Sequence, residues 1–279
     1  MRPPIVLVTG SSDGIGKETA AALAERGARV ILHGRDPDRL GAAAREVDRR
    51  SGNWPAGQEL ADLSSQQEVR RFAAHIVDHH PRLDVVINNA GVFMPDRLLT
   101  SDGRETTFAV NHLAGFLLSH LLLPALRESP QGRIVNVSSG AHLSARLDWE
   151  NLDGQRGYDG FTAYALSKLA NVLTTVEMAR RLRGGSLTVN ALHPGVVSTR
   201  LLRAGFGGHG SDSLQEAAAT SVHLALAPEL GGATGGYYAR KSPSRMHPLA
   251  NEKSITARFY ELSCRLTGLA PLPLPRAAQ

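Results

Sequence analysis

The sequence predicts one α/β domain built on a doubly wound, mainly parallel sheet of about seven strands, with helices on both faces in three αβα layers. Three observations carry that expectation. Short apolar, β-branched runs alternate with segments of helical periodicity along most of the chain, as repeated strand–helix–strand units require. A glycine-rich turn lies directly between the first such run and the first helical segment. At 279 residues and 42% hydrophobic, the chain can bury one large core, and α/β chains of this size are commonly one domain.

The first run, 5–9 (IVLVT), closes on Gly10, and helical spacing begins after Ile15 with apolar positions at Ala20, Leu23 and Ala24. Between them, TGSSDGIG places glycines at 10, 14 and 16. Gly10 permits a tight turn, Gly14 lets backbone approach a pyrophosphate, and Gly16 lets the helix pack close to the strand. The unpaired N–H groups and positive dipole end of that helix favour an anion. Gly10, Ser12, Asp13, Gly14, Ile15 and Gly16 are therefore expected to receive the phosphates of a dinucleotide.

The second run, 29–33 (RVILH), is followed by Gly34, Arg35 and Asp36, where such folds read the adenosine ribose. An acid there holds a 2′-hydroxyl, whereas an arginine accommodates a 2′-phosphate, so Arg35 points to NADP, with NAD as the alternative. Asp36 is expected to cap a helix opened by Pro37. Helices over 37–50 and 66–78 flank a weak strand at 57–60, and the next strand is 83–88 (LDVVIN). Asp62 and Leu63 follow the weak strand. Asp62 reads either as an acceptor for an adenine amino group or as a helix cap or loop acid. The LDVVIN strand stops at NNAG, which puts Asn89, Ala90 and Gly91 at the carboxyl edge of the sheet, where ligands bind.

A long helix is expected over 102–126, with Asn111 in its middle within AVNHL. Asparagine is disfavoured inside helices, and a buried amide must find partners. Asn111 is either a satisfied structural residue or the holder of a water behind Lys168. The fifth strand, 133–138 (RIVNVS), ends on Ser138 and Ser139, whose hydroxyls at that edge can donate to a substrate carbonyl. Tyr164 and Lys168 stand four apart in YALSK, so on a helix they share a face at about 5–6 Å between Cβ atoms. A nearby cation favours the phenolate, and moving a tyrosine from near 10 to neutrality takes roughly 4 kcal/mol. The pair is expected to turn the tyrosine into a working acid. A sixth strand, 186–192, precedes HPGVVST, and 201–213 (LLRAGFGGHGSDS) mixes glycine with apolar side chains, as a mobile lid does.

Several classes are excluded. Net charge is +5 with a pI near 9.7, but basic and acidic residues are interspersed without blocks, which argues against a nucleic-acid partner. The longest apolar stretch, 116–126, is broken by Ser119, His120 and Pro124 and is too short to span a bilayer. No secretion signal precedes Ile5, and the single Cys264 suits a reducing compartment. A cytoplasmic protein without stable membrane insertion is expected. No HExxH or Cys/His cluster is present, so no metal is expected. Without a GxSxG elbow, Ser139 reads as a hydrogen bonder rather than a nucleophile.

Taken in order, TGSSDGIG, NNAG, Asn111, VSS and YALSK resemble the short-chain dehydrogenase/reductase family, and the resemblance covers the whole chain. It implies a Rossmann-type domain over 1–270, with a substrate loop at 196–213, a C-terminal extension at 240–270 and a flexible tail at 271–279. Tyr164 would be the catalytic acid/base and Lys168 its pKa-lowering, ribose-binding partner. Ser139, the second of the serine pair, would hold the carbonyl, with Ser138 as the fallback, and Asn111 would anchor the water of a proton relay. HPGVVST resembles the family's PG segment, so Pro194, Gly195, Val197 and Thr199 would bind the nicotinamide carboxamide. Ser139 and Tyr164 are 25 positions apart, more than in many members, because of an insertion containing LDWENLDGQRGYDGF. That insertion, SKLANVLTTVEMARRL and the ending ANEKSITARFYELSCRLTGL resemble the retinol-dehydrogenase-like branch. The branch implies NADP and a lipophilic aldehyde or ketone as substrate, but the membrane anchor of many of its members is not expected here. A homo-oligomer through the helices of Asn111 and Tyr164 is a further expectation. The rivals are an NAD-dependent steroid-type or biosynthetic carbonyl reductase and a non-catalytic NADP-binding regulator. The intact Tyr, Lys, Ser and Asn set speaks against the regulator.

Overall fold

The apolar runs become strands whose alternate side chains enter two different cores. In the computed structural model, which describes residues 2–52, 54–208 and 210–275, seven parallel strands are β1 (Ile5–Val8), β2 (Arg29–Gly34), β3 (Gly57–Leu60), β4 (Val85–Asn88), β5 (Arg133–Val137), β6 (Thr188–His193) and β7 (Tyr237–Ala239). Their order is β3-β2-β1-β4-β5-β6-β7. The order reverses between β1 and β4, and this switch point opens a crevice at the carboxyl ends of the strands. An eighth strand, β8 (Ser242–Pro243), turns back antiparallel on β7 through Arg240 and Lys241, both at positive φ. The count of about seven missed it because a two-residue return carries no periodicity to read.

Ten α-helical segments surround the sheet among the described residues: α1 (Gly14–Glu25), α2 (Pro37–Ser51), α3 (Gln66–His79), α4 (Thr106–Phe108), α5 (Ala114–Leu121), α6 (Leu123–Arg127), α7 (Gly160–Arg181), α8 (Arg200–Phe206), α9 (Leu214–Leu226) and α10 (Lys253–Thr267). Strand side chains alternate in direction, so Val6 and Val8 pack with α1, α2 and α9, while Leu7 packs with α3, α5 and α10. The helix expected from 102 starts only at Thr106. Glu105 forms a bridge with Leu99, and its carboxylate accepts from Thr107 N and Phe108 N, capping α4. The rod then widens into a π-turn, Ala109–Leu113, which holds Asn111. The insertion before α7 is tied to the same region: Asp153 binds Arg104 and accepts from Glu105 N, and Tyr158 donates to Glu105. Of the tail expected at 271–279, residues 276–279 lie outside the described residues, and Leu272 is held by Arg181 and Tyr260.

Candidate active site

Two turns at the carboxyl edge of the sheet build the site. In the first, Gly10 and Gly14 have φ of 63° and 56°, a region that costs other residues about 1–2 kcal/mol. A β-carbon on Gly10 would come to 2.8 Å from Ala90 Cα, and one on Gly16 would collide with the Asn89 amide and the Gly10 carbonyl. The NNAG segment is thus packed directly onto the glycine turn. Asn89 fastens it by donating to the Thr9 and Gly10 carbonyls, while Thr9 Oγ1 accepts from Asn89 N and Ala90 N. His33 Nδ1 accepts from Gly10 N at 3.1 Å, and its other nitrogen faces the Ala61 carbonyl. Burial pushes the His33 pKa down to about 4.

At Gly14 an added β-carbon would find only Thr199 Cγ2 within reach, at 3.6 Å, so HPGVVST closes over the start of α1. Asp13 caps α1 and pairs with Arg39 at 3.0 Å. Ser12 packs under Gly34, Ile15 stands in the first turn of α1, and Arg35 is exposed just past β2. Asp36 caps α2, accepting from Asp38 N and Arg39 N. Asp62 accepts from Ser64 N beside buried Leu63, and the cap of α3 is Ser65. This open helix start, with a glycine floor and arginines at the ribose end, fits a dinucleotide.

The second turn follows β5. Ser138 Oγ donates to the Lys168 carbonyl and so faces the α7 backbone. Ser139 is extended and accepts from Ala141 N, and its hydroxyl acts on Tyr164 by favouring the phenolate. Tyr164 and Lys168 are 6% and 3% exposed. The Lys168 ammonium lies 5.6 Å from the Tyr164 ring centre and donates to the Val137 carbonyl. Asn111 reaches the same place: its amide binds both polar groups of the Val92 backbone and donates to Ser167, and it borders Gly91 together with Lys168. The Asn111 carbonyl accepts from Asn171. Both its side chain and its main-chain carbonyl are therefore held by protein partners.

Burial drives Tyr164 up to about 12, opposed by the Ser139 hydrogen bond, and drives Lys168 down to about 8. The tyrosine shift is opposite to the expected lowering. Desolvation penalises the charged form of both groups, so it works against the phenolate and weakens the lysine's own charge.

Sequence reading missed four neighbours. Phe93 is wedged where β-carbons on Gly160 and Gly205 would strike its ring, 6.1 Å from the Tyr164 ring. His142, His193 and Arg39 also had no assigned role. A signal for His193 was present, since β6 ends its apolar run in Leu192-His193 just as β2 does in Leu32-His33. The 196–213 segment is closed on itself: Asp212 accepts from Val196 N, and Asp212 N donates back to Val196 O. His209 lies outside the described residues. Among the described residues, no group of three or more metal-ligating side chains comes together, and no helix is long and apolar enough to cross a membrane.

A family profile described as short chain dehydrogenase matches residues 4–206. Human retinol dehydrogenase 13 is 42% identical, covering 97% of this chain and 88% of that protein. Human retinol dehydrogenase 11 is 41% identical, covering 95% and 86%. Among solved structures, an uncharacterized protein from Mycobacterium paratuberculosis matches with a TM-score of 0.81 at 33% identity, covering 98% of this chain and 97% of that one. The RhlG/NADP active-site complex of Pseudomonas aeruginosa matches at 0.70 and 28%, covering 86% and 97%. Site geometry and relatives converge, and the chain belongs to the short-chain dehydrogenase/reductase family, in its retinol-dehydrogenase-like branch, as an NAD(P)-dependent oxidoreductase acting on CH–OH groups.

Proposed function

We propose that this enzyme interconverts an alcohol and a carbonyl with NADP(H), on a lipophilic aldehyde or ketone. The observation that carries the reading is the Ser139–Tyr164 hydroxyl pair over buried Lys168 at the carboxyl edge of the sheet. In reduction, Tyr164 donates its proton to the carbonyl oxygen while Ser139 hydrogen-bonds the same oxygen and fixes its position. In oxidation, the Tyr164 phenolate takes the proton from the alcohol while Ser139 holds the same oxygen. When bound, the nicotinamide supplies or accepts the hydride. Lys168 sits behind the tyrosine and lends its charge to the phenolate as the proton moves. Asn111 is the water anchor of the relay.

The glycine turn (Gly10, Ser12, Asp13, Gly14, Ile15, Gly16) binds the phosphates, and Asn89, Ala90 and Gly91 border the cofactor beside Asp62 and Leu63. Pro194, Gly195, Val197 and Thr199 take the carboxamide. NADP preference is supported by exposed Arg35, four positions before Arg39, which pairs with Asp13. Asp36 is occupied as a cap, which counts against the NAD-dependent alternative. A lipophilic substrate is supported by exposed Leu143, Phe161 and Val196, each within four positions of Ser139, Tyr164 or Gly195, and by Phe93 against Tyr164. The 196–213 loop serves as the lid, and a cytoplasmic homo-oligomer is part of the same reading.

Fluorescence titration with NADPH and NADH, followed by turnover of apolar aldehydes and ketones, tests this. NADPH is expected to bind tighter, and Tyr164→Phe to keep that affinity while losing about 10²–10⁴-fold in kcat. Full turnover by Tyr164→Phe excludes the assigned acid. Tight NADPH binding with no turnover across the panel leaves either an untested substrate or the non-catalytic regulator.

A further inference from the structure

The peptide group joining Ser139 to Gly140 is gripped at both ends by imidazoles. Its N–H, on Gly140, donates to His193 Nδ1 at 3.2 Å. Its carbonyl, on Ser139, lies 2.6 Å from His142 Nδ1 and also accepts from the His142 backbone N–H. The two rings come from different elements: His193 ends β6, and His142 sits within the short turn Gly140–Ser144 that follows Ser139. We propose that His193 is a positioning residue for the reaction, fixing the plane of this peptide group and through it the direction of the Ser139 hydroxyl toward Tyr164. This rests on the reading of Ser139 as the group that holds the carbonyl.

The chemistry of the two grips differs. A backbone N–H can only donate, so His193 presents a lone pair at Nδ1 and carries its proton on Nε2. A carbonyl can only accept, so His142 carries its proton on Nδ1, which leaves its buried Nε2 without a partner beside the Tyr237 ring. Protonating His142 keeps its Nδ1–H in place. Protonating His193 replaces the accepting lone pair with an N–H that opposes the Gly140 N–H, and the grip opens. Acid therefore acts on Ser139 through His193 alone.

The groups facing His193 are Asp212, which favours its cation, and Arg240 and His142, which oppose it; burial is the strongest influence and holds the ring neutral. Asp212 and Arg240 come from the two sides of the cleft mouth, the end of the 196–213 segment and the β7–β8 turn, and stand 3.7 Å apart. Ser138 N donates to the Leu192 carbonyl, so β5 and β6 are locked in register immediately before the grip. Rotation of the Ser139–Gly140 peptide is the remaining freedom; His142 holds its carbonyl end and His193 its N–H end.

Four variants test the proposal: His193→Leu, His193→Asn, Ser139→Ala and the double variant His193→Leu/Ser139→Ala. A misplacement of about 1 Å at a reacting group costs about 10²-fold, so His193→Leu is expected to lose up to that factor in kcat while NADPH affinity holds. In the Ser139→Ala background the same change is expected to cost nothing further, because both act through one hydroxyl. Asparagine offers an acceptor at the δ position that does not titrate. His193→Asn should therefore restore most of the turnover and abolish the acid limb of the wild-type kcat profile. An acid limb unchanged in His193→Asn overturns the proposal, as does equal loss from His193→Leu with and without Ser139. Should His193→Leu fail to fold, the His193→Asn pH profile decides alone. Ser139→Ala with wild-type turnover overturns the Ser139 reading and the grip with it, whereas an inactive Ser139→Ala beside a fully active His193→Leu overturns the grip only.

Discussion

At the end of β1 the Gly10 N–H donates to Nδ1 of His33 on the adjacent strand β2; at the end of β5 the Gly140 N–H donates to Nδ1 of His193 on the adjacent strand β6. The device is the same, a neutral imidazole reaching from the neighbouring parallel strand to pin the turn that follows. What surrounds it differs. His33 is held at both nitrogens, stacks 4.9 Å from Phe72 and is 3% exposed. His193 is held at one nitrogen, only partly buried, and faces a carboxylate and a guanidinium. In the proposed function the first turn is scaffold for a ligand gripped by backbone, and the second carries the side chain assigned to the chemistry. An imidazole tied at both ends resists acid, whereas one tied at a single end can respond to it.

The largest difference should come from adding a methyl group to each glycine's neighbourhood, beginning with Gly10→Ala. It forces a side chain into positive φ and onto Ala90 at 2.8 Å, and strained positions of this kind cost about 1–3 kcal/mol before the clash is counted. NADPH binding should be lost and Tm should fall, as titration and thermal melts would show; unchanged binding would refute the tight packing of NNAG on the turn.

Next in size is Lys168→Met. Burial lowers the Lys168 pKa from 10.5 to about 8, so in the folded state the charged form is penalised below pH 8, and the penalty is relieved as pH rises from 8 toward 10.5. At neutral pH that penalty is about 3 kcal/mol, offset in part by the bond to Val137. The variant should be inactive yet more stable than wild type in denaturant melts at pH 7, an advantage that fades toward pH 10.

His33→Leu should cost about 1–3 kcal/mol by leaving the part-buried Gly10 N–H unsatisfied. It should also make the protein less sensitive to acid. The folded His33 pKa lies near 4 against 6.5 unfolded, so the unfolded chain binds more protons between those values and wild-type stability falls as pH drops from 6.5 to 4. His112 and His120, also lowered to about 4 by burial, keep part of that slope in the variant. Melts across this range that run parallel in wild type and variant would show that His33 is not neutral in the fold.

Smallest of all should be Gly140→Ala. Its β-carbon would meet the His193 ring at 3.8 Å, ordinary contact, and Gly140 is not among the positive-φ residues. Stability should stay within about 0.5 kcal/mol and turnover should be nearly unchanged, against the collapse expected at Gly10.

The contrast between the turns also explains what the sequence could and could not disclose. Positive φ at Gly10 and Gly14, and close approach at Gly16, are demands met by one residue type at one place, so TGSSDGIG could be read directly. The ends of the first six strands fell within two residues of expectation because apolar runs have definite limits, and Tyr164 with Lys168 followed from helical spacing. The π-turn at Asn111 was hidden, since its widening comes from contacts with α7 and α10 rather than from local composition. The tyrosine's upward shift was hidden too: it depends on how dry the cleft is, which no spacing reveals. Leu32-His33 and Leu192-His193 look alike in the chain, and only their surroundings separate a pin from a positioning group.

Lys168 has a consequence for anyone breeding this protein. A charged group kept in a dry interior is a standing cost to the fold, so a library sorted for heat resistance or expression alone would enrich apolar residues at position 168 and return sturdy proteins without turnover. Selection on folding and selection on chemistry pull this one side chain in opposite directions, and a screen has to read both.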